Sequence, residues 1–345
     1  MSKIVPLNNR HEGIMIFEVT NGNPNGDPHN DGQPRIDFDT NIGLVSDACI
    51  KRKVRNYVAT FPPNDTKEHE FNIFFKQGTL LNDTIESSAE ASLPTNMAKG
   101  SPDHCRSTSD WLCAHYYDNR TFGAVVSTGK TMSGSPFGQI CGPIAVSISK
   151  SYHPIQIATL SQTRCVATDK KDEAKGRTMC TKHYVSYGLY MCQWFVDGTR
   201  AKVTGFDQAD YDLFLKALMN LFDHDRSASR GVMIVRGLYD FEHVGQQPPG
   251  NAAQNAVEAL HGCAPHHRLF ETIKVQRTGE NESPQSFEDY SLTVDSGWDA
   301  SGRSARFPGV VLHRLIDPDT DPFADPYAVP KTRTSRLVAA NGVSR

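Results

Sequence analysis

The stretch from Gly13 to Val58 constrains the fold more than any other part of the chain. Strand-like GIMIFEVT runs into a turn-rich loop, NGNPNGDPHNDGQP, and after a short link into a basic helix, SDACIKRKVRNYV. At roughly 100° per residue, Lys51, Arg52 and Arg55 fall in one stripe, while Ile50, Val54, Tyr57 and Val58 fall opposite. Lys53 points to the boundary of the apolar face. Ser46 is placed to cap the helix, with Asp47 in its first turn, so the spacing predicts a helix from about residue 46 to Thr60, ahead of Pro62-Pro63. A strand followed by a one-sided helix must be completed by a sheet. The loop and the cationic stripe together, at the end of one strand, suit a phosphate-rich partner.

With 345 residues, 38% apolar and 22% charged, the chain can bury a sizeable core, and its length suits about two domains or one with insertions. The formal net charge is -3, so any nucleic-acid contact must come from local patches. No apolar run approaches the ~18 residues of a membrane span, and MSKIVPLNNRHEG has no signal-peptide core. A cytoplasmic protein with no membrane partner is expected. The eight cysteines form no C-x-x-C pair, which favours reduced thiols over a disulfide framework.

Residues 61–120 are polar and irregular, with short apolar pieces such as FNIFF, and suggest an insertion on a core rather than a second core. Residues 121–149 suggest strand, Gly/Ser loop and strand. Ile157 to His183 has extended ends around a charged middle, which predicts a long exposed β-hairpin. YGLYMCQWFV has the continuous apolar character of a buried central strand. Asp207 caps a helix with Tyr211, Phe214, Leu215, Leu218, Leu221 and Phe222 on one side, ending at His224. GVMIVRGLYDFEH is the next strand, followed by a Pro/Gly/Ala/Asn-rich insertion and by extended RLFETIKVQ and SFEDYSLTV. The order is that of an expanded ferredoxin-like β-α-β-β-α-β unit, an α+β fold. The segment from Asp317 is too rich in Pro and Asp for regular structure.

Catalytic motifs do not fit well. In GAVVSTGKT, five residues lie between Gly123 and Gly129, one more than the four of a phosphate-cradling P-loop. DPHNDG opens like an EF-hand loop, but Phe38 stands where a bidentate Glu is required. Asp27, Asp31, Asp37 and Asp39 could gather a divalent ion for RNA hydrolysis, yet Asn, Asp, Gly and Pro also serve turn geometry. His104, Cys105, Cys113 and His115 lack structural-zinc spacing. Asp225, Arg226 and Arg230 suit a helix end that pairs internally or reaches a phosphate. There is no G-x-S-x-G elbow and no Cys with an identifiable His partner. No catalytic residue, metal or cofactor is expected.

NGNPNGDP, PRID, GLVSDACIKRKVRNYV, TFGAVVSTG, the GQ-x-x-GPI strand start, RTM-x-x-K-H-x-V-x-YGLY, HDRSASRG and HHRLFETIKV resemble, in order from about Gly13 to Leu312, the backbone subunit of the type I-C CRISPR surveillance complex (Cascade). This is the Cas-seven family of the RAMP superfamily, with a similar type I-B relative. The resemblance implies an RRM-like palm with a finger insertion and a protruding β-hairpin thumb. Palm would be 11–60, 121–156 and 184–314, with an insertion near 246–265. Finger would be 61–120, thumb 157–183, and 315–345 an extended arm. It implies a non-catalytic subunit that lines up in copies along a CRISPR guide RNA, beside other Cascade subunits, and presents the guide to a target DNA strand. RNA-facing residues implied are Asn21, Asn23, Ser46, Lys51, Arg52, Arg55, Gln139, Thr163, Arg164, Met179, Lys182, His183, Arg226 and Arg230. Cys141 stands where the family pattern leads one to expect a basic residue, and Cys180-Thr181 where RTMGRKH leads one to expect Gly-Arg, so two phosphate contacts are missing, which Lys130, Lys150, Lys170 or Lys171 would offset. A metal-dependent endoribonuclease of the same superfamily, using a loop aspartate such as Asp37, is the alternative.

Overall fold

Residues Ile14 to Val19 alternate between two apolar faces, so the strand they form has to be covered on both sides. The computed structural model, which describes residues 5–60, 70–163, 179–248, 251–278 and 283–318, shows how. In chain order the elements are β1 (His11–Gly22), β2 (Gly26–Asp27), β3 (Gln33–Pro34), β4 (Ile42–Val45), α1 (Asp47–Val58), α2 (Leu81–Ala91), α3 (Pro102–His115), α4 (Tyr117–Phe122), β5 (Gly123–Val125), β6 (Gln139–Cys141), β7 (Ile144–Val146), β8 (Ser149–Pro154), β9 (Ile157–Thr163), β10 (Met179–Val196), α5 (Gly198–Thr204), α6 (Gln208–Met219), β11 (Val232–His243), α7 (Ala252–His261), α8 (His266–Phe270), β12 (Ile273–Arg277), β13 (Tyr290–Val294) and β14 (Val310–Ile316).

The main sheet runs β14-β11-β1-β10-β8-β4, with β7 and β9 also paired to β10. Every pairing in it is antiparallel. On one face Met15, Phe17, Val19, Tyr190, Cys192 and Trp194 pack with Ile50 and Val54 of α1 and with Tyr211, Phe214 and Leu218 of α6. Trp194 lies directly over Gly13, where a Cβ would fall 2.0 Å from the indole, so only glycine fits there. On the other face Ile14, Ile16, Leu189, Tyr239 and Phe241 are covered by Leu269 and Phe270 of α8 and by Ile273 and Leu292 of the β12-β13 pair. Each such buried side chain contributes roughly 2 kcal/mol through removal from water.

The segment expected to be irregular instead carries α2, α3 and α4 and a hydrophobic cluster of its own, with Phe74, Ile85, Leu112, Val126, Met132 and Ile140. The helices are hidden in the sequence because their inner faces use small or polar residues: Ser88 and Ala89 in α2, His104, Cys105 and Thr108 in α3. The β5-β6 pair belongs to this cluster, not to the main sheet. Other expectations need correction. Helix α6 stops at Met219 rather than His224, because the Asn220 side chain turns back to donate to the Lys216 carbonyl at 2.8 Å. The Ala-rich part of the 246–265 insertion forms α7, as alanine propensity favours. The Arg-Leu-Phe of RLFETIKVQ likewise lies in α8, and β14 adds a strand that the sequence reading had not separated.

The hairpin arms β9 and β10 pair from Val185↔Ile157 to Met179↔Thr163, while residues 164–178 between them lie outside the described residues. So do FPPNDTKEH (61–69) and residues 319–345. Among the described residues no helix is long and apolar enough to cross a membrane, and the seven described cysteines are free.

Candidate nucleic-acid interface

The end of β1 is a meeting point of four segments. Gly22 closes the strand so near the 223–231 loop that a Cβ would sit 1.8 Å from the Arg230 carbonyl oxygen. Next to it, the Asn23 amide donates to the Ser229 carbonyl at 2.8 Å. The Asn23 side chain donates to the Gly32 carbonyl at 2.7 Å, which holds the β2-β3 turn. Asn21, Asp31 and Asn41 adopt positive φ, the left-handed region that short polar side chains tolerate. The Asn25 side chain accepts from the Ser46 amide at 2.9 Å, and Ser46 caps α1 by accepting from the Cys49 amide at 3.2 Å. The loop is thereby tied to the positive end of a 12-residue helix.

The cations of α1 do not form three open charges. Lys51 donates to Asp47 one turn earlier at 2.9 Å and lies 5.8 Å from the Phe122 ring centre. Arg52 is exposed and reaches Asn56 at 3.1 Å and Gln77 at 3.2 Å. Arg55, expected to stand in the same open stripe, is turned inward. Its Nε donates to the fully buried Asp118 at 2.7 Å, and its guanidinium lies over Phe75 and Phe122 at 5.0 and 5.4 Å. Asp118 also accepts from the Phe74 and Phe75 amides, so Arg55 is a structural pin between α1 and the second cluster.

Lys53 is the larger departure: its side chain is 2% exposed and pairs with Asp225, which also pairs with Arg230. Burial pushes the Lys53 ammonium down to about 8; the neighbouring Cys49 acts the other way, and Arg230 adds to the fall. Burial raises the Cys49 thiol, while Lys53, Arg230 and Arg35 pull it back, so three cations surround the base of the loop. Arg35 pairs with Asp27 at 3.5 Å, and its buried Nε has no hydrogen-bond partner among the described residues. Arg35, in PRID, carries no periodic or spacing signal that would single it out in the sequence. A lysine at the edge of an apolar face, needing an acid, was the available signal for Lys53 and Asp225.

The root of the β9-β10 hairpin reaches the same place. Lys182 donates to the Ala228 carbonyl, and His183 meets the Thr159 hydroxyl at 2.9 Å. Thr163 is exposed, opposite Met179 in the pairing, and Arg164 lies outside the described residues. Arg226 is exposed and pairs with Asp223 at 3.2 Å. Gln139 and Cys141 are exposed on β6, either side of buried Ile140. The acidic candidates are committed to turns: Asp37 accepts from the Asp39 and Thr40 amides at 3.0 and 3.2 Å, which hold its carboxyl below the usual range, and Asp27 accepts from the His29 amide at 3.1 Å. His104 is used up by the Gly100 amide and the Ala89 carbonyl, and burial pushes Cys113 up to about 12. No group of three potential metal ligands occurs among the described residues.

Residues 9–295 match the family described as CRISPR-associated protein Cas7. A curated CRISPR-associated protein Cas7 of Haloferax volcanii is 23% identical over 217 residues, covering 59% of this chain. The chain spans 61% of that relative's length. A chain of a solved CRISPR RNA-guided surveillance complex in a pre-nicking state superposes with a TM-score of 0.44 at 13% identity, over 76% of this chain and 89% of that one. A second surveillance-complex chain gives 0.36 at 14% identity, over 76% and 80%.

Proposed function

The chain belongs to the Cas7 family of CRISPR-associated proteins, and on that premise we propose that it is a non-catalytic, guide-RNA-binding backbone subunit of a Cascade-type complex, of type I-C. It works in the cytoplasm, with copies of itself and other subunits as partners, and presents the guide to target DNA. The observation that carries this reading is where the chain is open and where it is closed. A free-standing RRM stacks bases on its sheet face. Here α8, β12, β13, Trp298 and Phe307 cover much of that face, while backbone turns, a helix start and cations from four segments converge at the end of β1. Such a site grips phosphate and sugar and leaves sequence to base pairing.

The spatial order β11-β1-β10-β8, with α1 and α6 on one face, supports a ferredoxin-like, RRM-like palm. The cluster around α2, α3 and β5-β6 serves as the finger, and the β9-β10 hairpin beyond Val185 as the thumb. The boundary of the finger then extends to Cys141 instead of residue 120, because β5-β6 packs with its helices. Lys51, Arg52, Lys182 and Arg226, with Asn21, Asn23, Ser46 and Gln139, are the groups placed to meet RNA. Arg55 and Arg230 brace them.

Lys51→Ala combined with Arg52→Ala is expected to weaken binding of all guide sequences alike. It should lower the slope of log affinity against log salt by about 0.7 per lost phosphate contact. Unchanged affinity and slope would overturn the assignment. Complementary RNA incubated with the complex and Mg²⁺ is expected to stay intact; regularly spaced cuts abolished by Asp37→Ala would favour a ribonuclease instead.

A further inference from the structure

Away from the junction, a groove lies between α8 and the uncovered part of the main sheet. It consists of two adjoining hollows of about 530 and 480 Å³ that share His266. The floor is apolar and continuous with the core: Tyr152, Met191 and Phe270 line the first hollow, Phe195 and Leu260 the second. His266 stands between them, 5.2 Å from the Phe195 ring centre and 5.7 Å from that of Phe270. The rim carries Lys274, 52% exposed and 4.0 Å from Asp295, with Arg10 paired to Glu12 and Arg200 to Asp197 at 3.6 Å, beside Glu271 and exposed His266 and His267.

The chain itself contains a segment of matching character. From Asp317 to Pro330 it reads DPDTDPFADPYAVP, with aspartates at 317, 319, 321 and 325, no Lys or Arg, and two aromatics, Phe323 and Tyr327. Aromatic side chains entering apolar hollows are the usual anchors of an interface, and prolines beside both lower the entropy lost on docking. Four extended residues span about 13 Å, the scale of two neighbouring hollows each about 10 Å across.

We propose that the segment Asp319–Pro330 of one copy docks in this groove of the next copy, Phe323 and Tyr327 filling the two hollows and the aspartates facing exposed Lys274, His266 and His267 on the rim. The described chain ends just after β14, at one edge of the sheet, whereas the groove lies over β10 and β8 on the far side of β1. Within one copy, α8, β12 and β13 stand in the path; a neighbour's segment meets no such layer. Donor and acceptor on different edges make a head-to-tail contact, which repeats without closing. The inference rests on the reading of the protein as an assembling subunit.

The test uses full-length variants freed of nucleic acid. A fluorescent peptide of residues 317–331 is expected to bind Phe323→Ser/Tyr327→Ser protein, whose groove is intact. Binding should be at least about tenfold weaker to protein that also carries His267→Glu and Lys274→Glu, both at exposed positions. Absence of peptide binding at about 1 mM, or equal binding to both proteins, overturns the groove assignment. Sedimentation then decides between copies: Phe323→Ser/Tyr327→Ser and His267→Glu/Lys274→Glu proteins are each expected to be monomers that form heterodimers when mixed. If the mixture stays monomeric, docking between copies is wrong. Guide-RNA affinity, measured in parallel, separates the two readings: its loss in wild-type protein strikes the RNA reading, and its retention without complementation strikes this one.

Discussion

Asp207 caps α6 by accepting the Asp210 amide at 2.9 Å, in a half-buried place close to a second carboxylate. Burial, followed by repulsion from Asp210, raises its carboxyl to about 6. A carboxyl whose folded value lies above its unfolded one lends stability fully below pH 4, and that stability is lost as pH rises through 6. Asparagine keeps the capping oxygen without the charge. Asp207→Asn should therefore leave the thermal midpoint nearly unchanged at pH 4 and stabilise by about 1 kcal/mol at pH 8. An equal effect at both pH values would show that the charge does not matter. Arg55 yields a second test at this scale. Arg55→Ala removes the guanidinium from buried Asp118 and should cost about 3 kcal/mol in denaturant unfolding, while the salt slope of RNA binding by the folded protein stays as in wild type. A slope reduced as by Arg52→Ala would return Arg55 to the RNA surface.

The two outward residues of β6 give a prediction that belongs to an element. Gln139 and Cys141 project from a short strand whose middle residue, Ile140, is fixed in the second cluster, so a longer side chain at Cys141 changes the surface and not the packing. Cys141→Arg is expected to tighten RNA binding several-fold at low salt and to raise the salt slope by about 0.7, the mark of one added contact to a single strand. No change in slope would remove β6 from the RNA path. Elements of this kind differ in how far the sequence announces them. Strand β1, the core of β10, the Ser46 cap and the Asp207 cap were legible because period and capping residues are local signals. Helices α2 and α3 were not, since Ser, Ala, His and Thr on their inner faces carry little hydropathy. The site divides in the same way: Ser46 and Arg52 could be placed from helix geometry, whereas the inward turn of Arg55 depends on Asp118, 63 residues later, and the burial of Lys53 on Asp225, 172 residues later.

At the scale of the molecule, two covered faces of one sheet and a separate cluster have to act as a unit if copies are to hold RNA in register. The second cluster is joined to the main core by the Arg55–Asp118 pair, by Tyr117 and Phe122 of α4, which pack in that core, and by Arg120, which is fully buried. It donates to both carboxylate oxygens of Asp210 in α6 at 2.8 Å, and to the carbonyls of Cys113, Ala114 and Glu70. A planar guanidinium with five donors is the only side chain that can tie three segments in this way. Arg120→Met keeps the volume but leaves Asp210 buried without its cation and takes a donor from the Cys113, Glu70 and Ala114 carbonyls, of which Ala114 keeps the Glu70 amide, a change that should cost about 3–5 kcal/mol. The loss should be uneven. Amide exchange in α3, α4 and β5-β6 is expected to speed up strongly, while β1 and β10, held by the helix face through Trp194 and Tyr190, keep most of their protection. The Lys51 and Arg52 surface would remain but lose its neighbour across Phe122, so RNA affinity should fall without a change in salt slope. Uniform exchange across all segments, with a single cooperative transition, would mean that the cluster and the sheet are one folding unit and that Arg120 is not the link.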